Sequence, residues 1–288
     1  SLSPRDIADA VNRRYGRDRS FSAPILTACA LSGRFGADAG AWRCVKPLPF
    51  ELAVLPHSLW KHLRMPVVSY ALPALIAVGQ ARHHHLRPRG MLVRTLRGFS
   101  ERPTLKLLRK IQPSSGGYLE AAPLTSFVVM CLCATDRQAD PVVRAGVRFL
   151  LNCRRRDGSW PIDRNLATWV TTLSVSALAA GGQEVVEFSD GERRAVLDWL
   201  LRARHRREHP YTHAAAGGWA WTDASGAVPD SDDTSGAIIA LYNLDRDNNE
   251  IQHAAEKGIK WLIDLQNYDG GVPTFCKGWT DLPFDRSG

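Results

Sequence analysis

Two neighbouring stretches organise this chain: GGWAW at residues 217–221 and VPDSDDTSGA at residues 228–237. The second stretch brings the carboxylates of Asp230, Asp232 and Asp233 within four residues, immediately before an apolar helical run. Like charges this close together cannot all ionise once they are shielded from water, so we expect at least one proton to be retained near neutral pH. The stretch therefore predicts a helix start that carries a protonated carboxyl group.

The two tryptophans of the first stretch, Trp219 and Trp221, give the carboxyl cluster aromatic neighbours. A carboxylic acid beside aromatic faces is suited to generating a cation and then stabilising it. A structural interpretation also exists, because Asp and Ser are preferred N-cap residues and acidic side chains are stabilised by the positive end of the helix dipole. The residues alone leave both interpretations open.

The chain repeats from residue 112 onward, in units of helix, loop, helix and glycine-aromatic loop. The alignment is set by the spacing within the aromatic series Phe149, Trp199 and Trp261 and within the threonine series Thr125, Thr172 and Thr234. A single helix pair of this length cannot bury its apolar stripe, so consecutive pairs must stack. We therefore predict an all-α fold, an α/α-toroid (helical barrel) built from repeated helix pairs.

The residues before the repeats are also predicted to be helical. Helices are expected from Pro4 to Arg14 and from Ala23 to Leu31, with a tight polar turn between them. Five prolines interrupt the apolar sequence between residues 46 and 80. Prolines at this density predict short helices in a buried or interfacial path rather than one long helix.

Basic and apolar side chains alternate at helical spacing in residues 82–99. This pattern is typical of an amphipathic element that lies on anionic lipid, and equally of a solvated basic helix with an ordinary core face. The three consecutive histidines, His83, His84 and His85, point in three directions on a helix, which argues against a metal site there.

Composition limits the partners and the compartment. The 288 residues are 44% hydrophobic and carry a net charge of +8, which suits an anionic membrane surface or a nucleic acid. No nucleic-acid motif is found, so we expect no nucleic-acid partner. Six cysteines without paired metal-ligand spacing indicate a reducing, cytoplasmic setting. No apolar run has the length of a membrane span, so we expect only peripheral (monotopic) contact, on the inner membrane.

The sequence resembles the class II terpene cyclases, and squalene-hopene cyclases in particular. DSDDT at residues 230–234 is similar to the DxDDT signature of that family, and GGWAW at 217–221 is similar to its GGFAF segment. The repeat loops resemble its QW repeats. The resemblance covers the whole chain, loosely over 1–110 and more closely over 112–288.

Individual loops depart from the QW pattern. Gln266 with Gly270 keeps much of it, but Val272 stands where a tryptophan is expected. The loop that ends at Trp160 has the tryptophan, but Arg154 lies near the expected glutamine.

The family contains two α/α-barrels. By that correspondence, residues 1–164 form the first barrel region with the membrane-facing segment, and residues 165–288 form a partial barrel that carries the acid motif. The chain starts without methionine and stops directly after a motif, which predicts a fragment of a longer polypeptide.

The resemblance also implies roles for individual residues. Asp232 takes the position of the proton donor, with Asp230 and Asp233 polarising it or hydrogen-bonding to it. Its shielding from water is part of this expectation. The family's histidine partner of the acid has no assignable equivalent before Gly288.

Aromatic residues are implied to line the substrate site, because their faces stabilise a cation and offer no lone pair to capture it. The residues in question are Trp169, Trp219, Trp221 and Phe275.

These roles imply a squalene-hopene-cyclase-like triterpene cyclase, an isomerase, or a lyase if water is added. Asp232 would protonate a terminal alkene of a linear isoprenoid such as squalene, and rings would close through carbocations. This chemistry requires no metal or cofactor. The alternatives are a class II diterpene cyclase that acts on a prenyl diphosphate and a non-catalytic, lipid-binding helical-repeat fragment. A homodimer is one option for the assembly.

Two further enzyme classes fit less well. A zinc prenyltransferase β-subunit needs an Asp, Cys and His ligand set, and Cys276 is the only cysteine after the carboxylates. A glycoside hydrolase needs two carboxylates about 5–10 Å apart, whereas the three carboxylates here crowd one helical turn.

Overall fold

The computed structural model describes residues 3–15, 19–36, 39–56, 59, 72–181, 188–209 and 213–275, with only the backbone for residues 19–21. The α-helices in these ranges are α1 (Pro4–Tyr15), α2 (Arg19–Leu31), α3 (Leu72–His85), α4 (Met91–Ile111), α5 (Ala122–Cys133), α6 (Pro141–Cys153), α7 (Ala167–Ala180), α8 (Asp190–Ala203), α9 (Ser231–Asp245) and α10 (Asn249–Leu265). Short 3₁₀ helices span Ala41–Arg43, Phe50–Val54 and Tyr118–Glu120. No β-strand forms in the described ranges, so the predicted all-α fold of helix pairs is confirmed.

The chain divides into two compact units, Ser1–Arg164 and Asn165–Thr280. In the first unit, α3 packs against α5, and α5 packs against α6. In the second unit, α9 packs against α7, α8 and α10.

The proline-rich segment behaves as predicted where the structure describes it. A five-residue 3₁₀ helix, Phe50–Val54, follows Pro49, and α3 begins one residue before Pro73. Proline is tolerated in the first turn of a helix, because its missing N–H would have no intrahelical partner there. Residues 57, 58 and 60–71 of the same segment lie outside the described residues.

The loops that follow α4, α6, α8 and α10 share one backbone design. Their helices end at the C-cap residues Gln112, Arg154, Arg204 and Gln266. Each loop then contains a glycine with positive φ, namely Gly116, Gly158, Gly217 and Gly270. Phe149, Trp199 and Trp261 each precede the C-cap residue of their helix by five positions, so their predicted alignment is confirmed.

An aromatic side chain in three of these loops donates a hydrogen bond back to the preceding helix. Each acceptor carbonyl belongs to a leucine four positions before the C-cap residue. The pairs are Tyr118 Oη to Leu108 O (2.9 Å), Trp160 Nε1 to Leu150 O (2.8 Å) and Trp219 Nε1 to Leu200 O (2.8 Å). These bonds fasten each loop to the helix that leads into it.

The helices α5, α7 and α9 begin against these loops. Threonine hydroxyls accept from loop amides: Tyr118 N donates to Thr125 Oγ1 (3.0 Å), and Trp219 N donates to Thr234 Oγ1 (2.9 Å).

The first-turn amides of the same three helices donate to the loop that follows along the chain. These bonds are Ala122 N to Ile162 O (2.9 Å), Trp169 N to Trp221 O (3.3 Å) and Ser231 N to Thr274 O (3.0 Å). The fold therefore gathers helix starts and aromatic loops at one end of each unit.

Candidate active site

The acid cluster lies at the start of α9. Asp230 is the N-cap residue, and its Oδ1 accepts a hydrogen bond from Asp233 N at 2.8 Å. An isolated β-bridge holds the segment in place, with Asp230 N donating to Trp219 O at 3.0 Å. The structural interpretation, an N-cap, is therefore correct for Asp230, and it does not exclude a chemical role.

Asp230 and Asp233 are both buried, each with about 3% of its surface exposed. Burial, followed by the charge of the neighbouring Asp233 carboxylate, raises the pKa of Asp230 to about 8. Burial also raises the pKa of Asp233, to about 6. Each carboxyl group has one buried oxygen, Asp230 Oδ2 and Asp233 Oδ1, with no hydrogen-bond partner in the described part of the chain. A proton retained by the pair provides the missing donor, so the cluster holds a proton near neutral pH.

Asp232 is exposed, and the expectation that it is shielded from water is wrong for the described structure. The reason is its position in the first turn, where the helical period turns it away from the buried Asp230 and Asp233. Its assignment as proton donor stays a prediction.

The face of α9 that carries Asp232 is exposed and partly apolar beyond its first turn. Ser235, Ile239 and Tyr242 follow Asp232 at intervals of three or four residues, which puts all four side chains on one side of the helix. Ile239 is 55% exposed and Tyr242 is 41% exposed. A carboxyl group thus stands at the head of a helix face that exposes one aliphatic and one aromatic side chain.

The neighbouring helix α7 also has an exposed apolar face. Trp169, Val170 and Leu173 are all at least 39% exposed. The two helices pack closely, because a Cβ on Gly236 of α9 would lie 3.2 Å from Thr172 Oγ1 of α7. Sequence reasoning missed these aliphatic side chains, although an apolar residue every three to four positions on helices that must stack could have indicated them.

Three of the predicted aromatic residues come together near the acid. The amide of Trp169 donates to the carbonyl of Trp221, whose ring packs edge-on against Phe275 with ring centroids 6.3 Å apart. The bond from Ser231 N to Thr274 O brings the segment of Phe275 to the start of α9. Trp221 Nε1 is buried without a hydrogen-bond partner among the described residues.

Trp219 does not belong to this aromatic group, and the prediction that it contacts substrate is wrong. Its ring is fully buried in the core that α8, α9 and α10 share, and its Nε1 donates to Leu200 O. A Cβ on Gly258 would lie only 2.9 Å from the ring. Trp219 therefore fixes the loop to the core.

Comparison with known protein families agrees with this arrangement. Residues 165–285 match the family described as squalene-hopene cyclase C-terminal domain. The predicted resemblance is thereby confirmed, and the all-helical fold is consistent with the α/α-toroid of that domain.

Curated relatives support the same family at low identity. Sporulenol synthase of Bacillus subtilis is 25% identical over 177 residues, which cover 59% of this chain and 27% of that protein. A terpene cyclase-glycosyl transferase fusion protein of Humicola fuscoatra is 29% identical over 153 residues, covering 46% and 11%. Squalene-hopene cyclase of Bradyrhizobium diazoefficiens is 28% identical over 117 residues, covering 37% and 17%. The chain therefore spans about a quarter or less of each relative.

One loop with a glutamine and a glycine at the same spacing escaped the sequence prediction. Gln112 Nε2 donates to Gly116 O at 3.0 Å, as Gln266 Nε2 donates to Gly270 O at 2.7 Å. The equal spacing of glutamine and glycine in both loops was the signal available in the sequence. Tyr118 takes the aromatic position of the loop after α4, so a pattern that requires tryptophan does not match this loop.

Proposed function

We propose that this chain, which matches the squalene-hopene cyclase C-terminal domain over residues 165–285, takes part in protonation-initiated cyclisation of a linear isoprenoid, with squalene as the first candidate. The observation that carries the proposal is the position of Asp232. It stands at the head of the exposed face of α9 that carries Ile239 and Tyr242, two positions after the buried Asp230, whose pKa burial raises to about 8. An alkene has no charge by which to be held, so an acid must meet it on a hydrocarbon surface.

The three carboxyl groups have different proposed roles. The π electrons of a terminal alkene form a C–H bond with the proton of the Asp232 carboxyl group, whose O–H bond breaks. An Asp232 carboxylate and a tertiary carbocation remain. Asp230 and Asp233 hold the reserve proton that restores Asp232 for the next turnover. The charge of Asp232 raises the pKa of both neighbours, which supports this coupling.

The aromatic residues have a proposed role after protonation. Each ring face stabilises a nearby cation by about 0.5–2 kcal/mol and provides no nucleophile. The exposed ring of Trp169 and the paired rings of Trp221 and Phe275 are the candidates. Ring closure then continues until loss of a proton or capture of water ends it.

We also propose peripheral membrane contact through α4, on the cytoplasmic side of the inner membrane. Met91, Leu92 and Phe99 are each more than 75% exposed, and Arg94 and Arg102 of the same helix are exposed as well. Apolar side chains flanked by cations suit an anionic lipid surface. No described helix combines the length and the hydropathy that a bilayer span requires.

Vesicle co-sedimentation tests the membrane contact. We expect Phe99→Ser with Leu92→Ser to reduce binding to phosphatidylglycerol vesicles. Leu151→Ser on α6, where the native side chain is 63% exposed, is the control and should have no effect. Equal loss in both variants would contradict the assignment of α4.

Incubation with squalene in D₂O tests the cyclisation. We expect cyclic products that contain one carbon-bound deuterium from the initiating proton, identified by mass spectrometry. Asp232→Asn should lower their yield about 10²- to 10⁴-fold, whereas Asp264→Asn, which alters an exposed carboxylate on α10, should not. Products without deuterium, or an Asp232→Asn variant that works at the unaltered rate, would contradict the proposal. Parallel incubation with geranylgeranyl diphosphate tests the diterpene alternative.

A further inference from the structure

Arg204 differs from the residues that end the equivalent helices. Gln112 and Gln266 direct their side-chain amides into their own loops, where glycine carbonyls accept. Arg204 ends α8 at the same position, but the loop after it is longer and reaches its glycine only at Gly217. Its Nε and Nη1 are buried, and neither has a hydrogen-bond partner in the described part of the chain. Among the described residues, these two nitrogens therefore lack the loop-carbonyl acceptor that the two glutamines have.

Arg204 is one of the residues that line a cavity of about 420 Å³. It lies within the second unit, between the end of α8, the loop at residues 215–217 and α10. Its charged lining residues are Arg204, Arg206, Lys257, Lys260 and Asp264. We name it the Arg204 cavity.

Positive charge in the Arg204 cavity exceeds the local negative charge. Asp264 is committed to Lys260, with Oδ2 and Nζ 2.9 Å apart. Burial and the charge of Arg206 lower the pKa of the Arg204 guanidinium. The charge of the Glu250 carboxylate raises it, by less than either of these lowers it. Arg206 and Lys257 are exposed and have no carboxylate within ion-pair distance among the described residues. An uncompensated cluster of this kind has a strong Coulombic preference for an anion.

The backbone of the cavity is fixed before any ligand arrives. Gly217 lies so close to α10 that a Cβ on it would meet Lys257 O at 2.8 Å. Trp261 Nε1 donates to Ala215 O at 3.0 Å, which ties the loop to the same helix. The cations therefore project from a preformed wall, which lowers the entropy cost of binding.

We propose that the Arg204 cavity binds a phosphate-type oxyanion. Guanidinium and ammonium groups are the usual protein ligands of phosphate, and a concave site with several donors suits a tetrahedral anion better than a flat surface does. The phosphate comes either from a soluble phosphate or diphosphate or from the headgroup of an anionic lipid. The site is independent of the acid cluster, so the proposal does not rest on the proposed cyclisation.

Isothermal titration of the full chain with sodium phosphate and with sodium diphosphate, at constant ionic strength, tests the soluble source. We expect saturable binding of one anion per chain and at least tenfold weaker binding in Arg204→Gln. Glutamine is the matched replacement, because the equivalent Gln112 and Gln266 bind their own loops. Arg154→Gln removes the same charge from an exposed C-cap residue of α6 and should leave the affinity unchanged.

Co-sedimentation with phosphatidylglycerol and phosphatidylcholine vesicles tests the lipid source. Binding of phosphatidylglycerol that Arg204→Gln reduces and Arg154→Gln does not supports the site with a lipid headgroup as its ligand. If circular dichroism shows that Arg204→Gln is unfolded, Lys257→Gln on the exposed surface replaces it in both assays. The proposal is overturned by equal losses in the Arg154 and Arg204 variants, or by no saturable binding of any of these phosphates.

Discussion

Helices α5 and α9 begin in the same way and carry different chemistry. In both, a buried threonine, Thr125 or Thr234, accepts from a loop amide, and a first-turn amide donates to the next loop. The residues before the threonine are Ala-Ala-Pro-Leu at 121–124 and Asp-Ser-Asp-Asp at 230–233. The comparison teaches that the hydrogen-bonded helix start is structural, since α5 forms it without any carboxylate.

The comparison also explains the exposure of Asp232. Pro123 occupies the equivalent position in α5 and is exposed, and so is Val170 at the equivalent position in α7. The next residue along the helix is Leu124 in α5 and the buried Asp233 in α9. A helix start of this type therefore presents one side chain outward, and in α9 that side chain is an acid.

The substitution with the largest expected effect distinguishes a catalytic role of Asp232 from a structural one. Asp232→Asn should lower turnover of an isoprenoid about 10²- to 10⁴-fold, the usual contribution of a general acid. Because Asp232 is exposed, we expect the far-ultraviolet circular dichroism and the unfolding midpoint to stay unchanged. A variant that loses activity only in proportion to a loss of folded protein would show that Asp232 is structural, like Pro123.

The pH dependence of stability tests the buried carboxyl pair. The folded-state pKa of Asp230 is raised above its ordinary value, so the stability that it contributes is complete below about pH 4 and is lost as the pH rises toward 8. The slope of the unfolding free energy is at most about 1.4 kcal/mol per pH unit for one proton. Asp230→Asn keeps an N-cap oxygen and removes the titration. We expect urea unfolding of this variant to show a smaller loss of stability between pH 4 and 8 than the unaltered chain shows, and equal slopes would contradict the shifted pKa.

Substitution of the loop glycines tests whether the shared loop design has the same energetic basis throughout. A Cβ on Gly116 would lie 2.5 Å from Ala145 O, whereas Gly270 has open space around it. Both have positive φ, which costs a non-glycine residue about 1–2 kcal/mol. We expect Gly116→Ala to destabilise by about 2–4 kcal/mol, because overpacking adds to the strain, and Gly270→Ala by about 1 kcal/mol. Similar losses in chemical unfolding would mean that φ alone determines the cost.

The sequence was sufficient to predict the helix pairs, because apolar periodicity and glycine spacing are local signals. It was also sufficient to predict a retained proton in the acid cluster, since three carboxylates in one turn must interact. The assignment of the proton to Asp230 and Asp233 required the structure. Burial depends on which side of the helix start packs against the loop of Trp219, and spacing alone does not give that side.

Trp219 and Trp221 show a similar limit. A single residue, Ala220, separates them in the same motif, which suggests the same role for both. In an extended segment, side chains at alternate positions point to the same side, but the loop is irregular here, and only the ring of Trp219 enters the core. Aromatic residue type alone therefore could not separate a core residue from a pocket residue.

Threonine-to-valine variants test the equivalence of the two helix starts directly. Thr125→Val removes the hydroxyl that accepts from Tyr118 N, and Thr234→Val removes the hydroxyl that accepts from Trp219 N. An unsatisfied buried amide costs about 1–3 kcal/mol, and valine has nearly the same shape as threonine. We expect losses of equal size, measured by native-state hydrogen exchange of α5 and α9. A much larger loss in α9 would show that the carboxylates depend on Thr234 and that the start is not purely structural.

Tyr118→Phe should have the smallest effect, because it removes one hydrogen bond and leaves the packed ring in place. Tyr118 Oη donates to Leu108 O, and the same carbonyl also accepts from Gln112 N at 3.1 Å. The carbonyl therefore keeps a partner, and the expected loss is about 0.5–1 kcal/mol by hydrogen exchange at the end of α4. Trp160→Phe, at an exposed ring that makes the equivalent bond, serves as the comparison. If Tyr118→Phe instead costs as much as Thr125→Val, the tyrosine hydroxyl holds this loop as strongly as the threonine does. The same would then be expected of the indole N–H of Trp219 beside the acid.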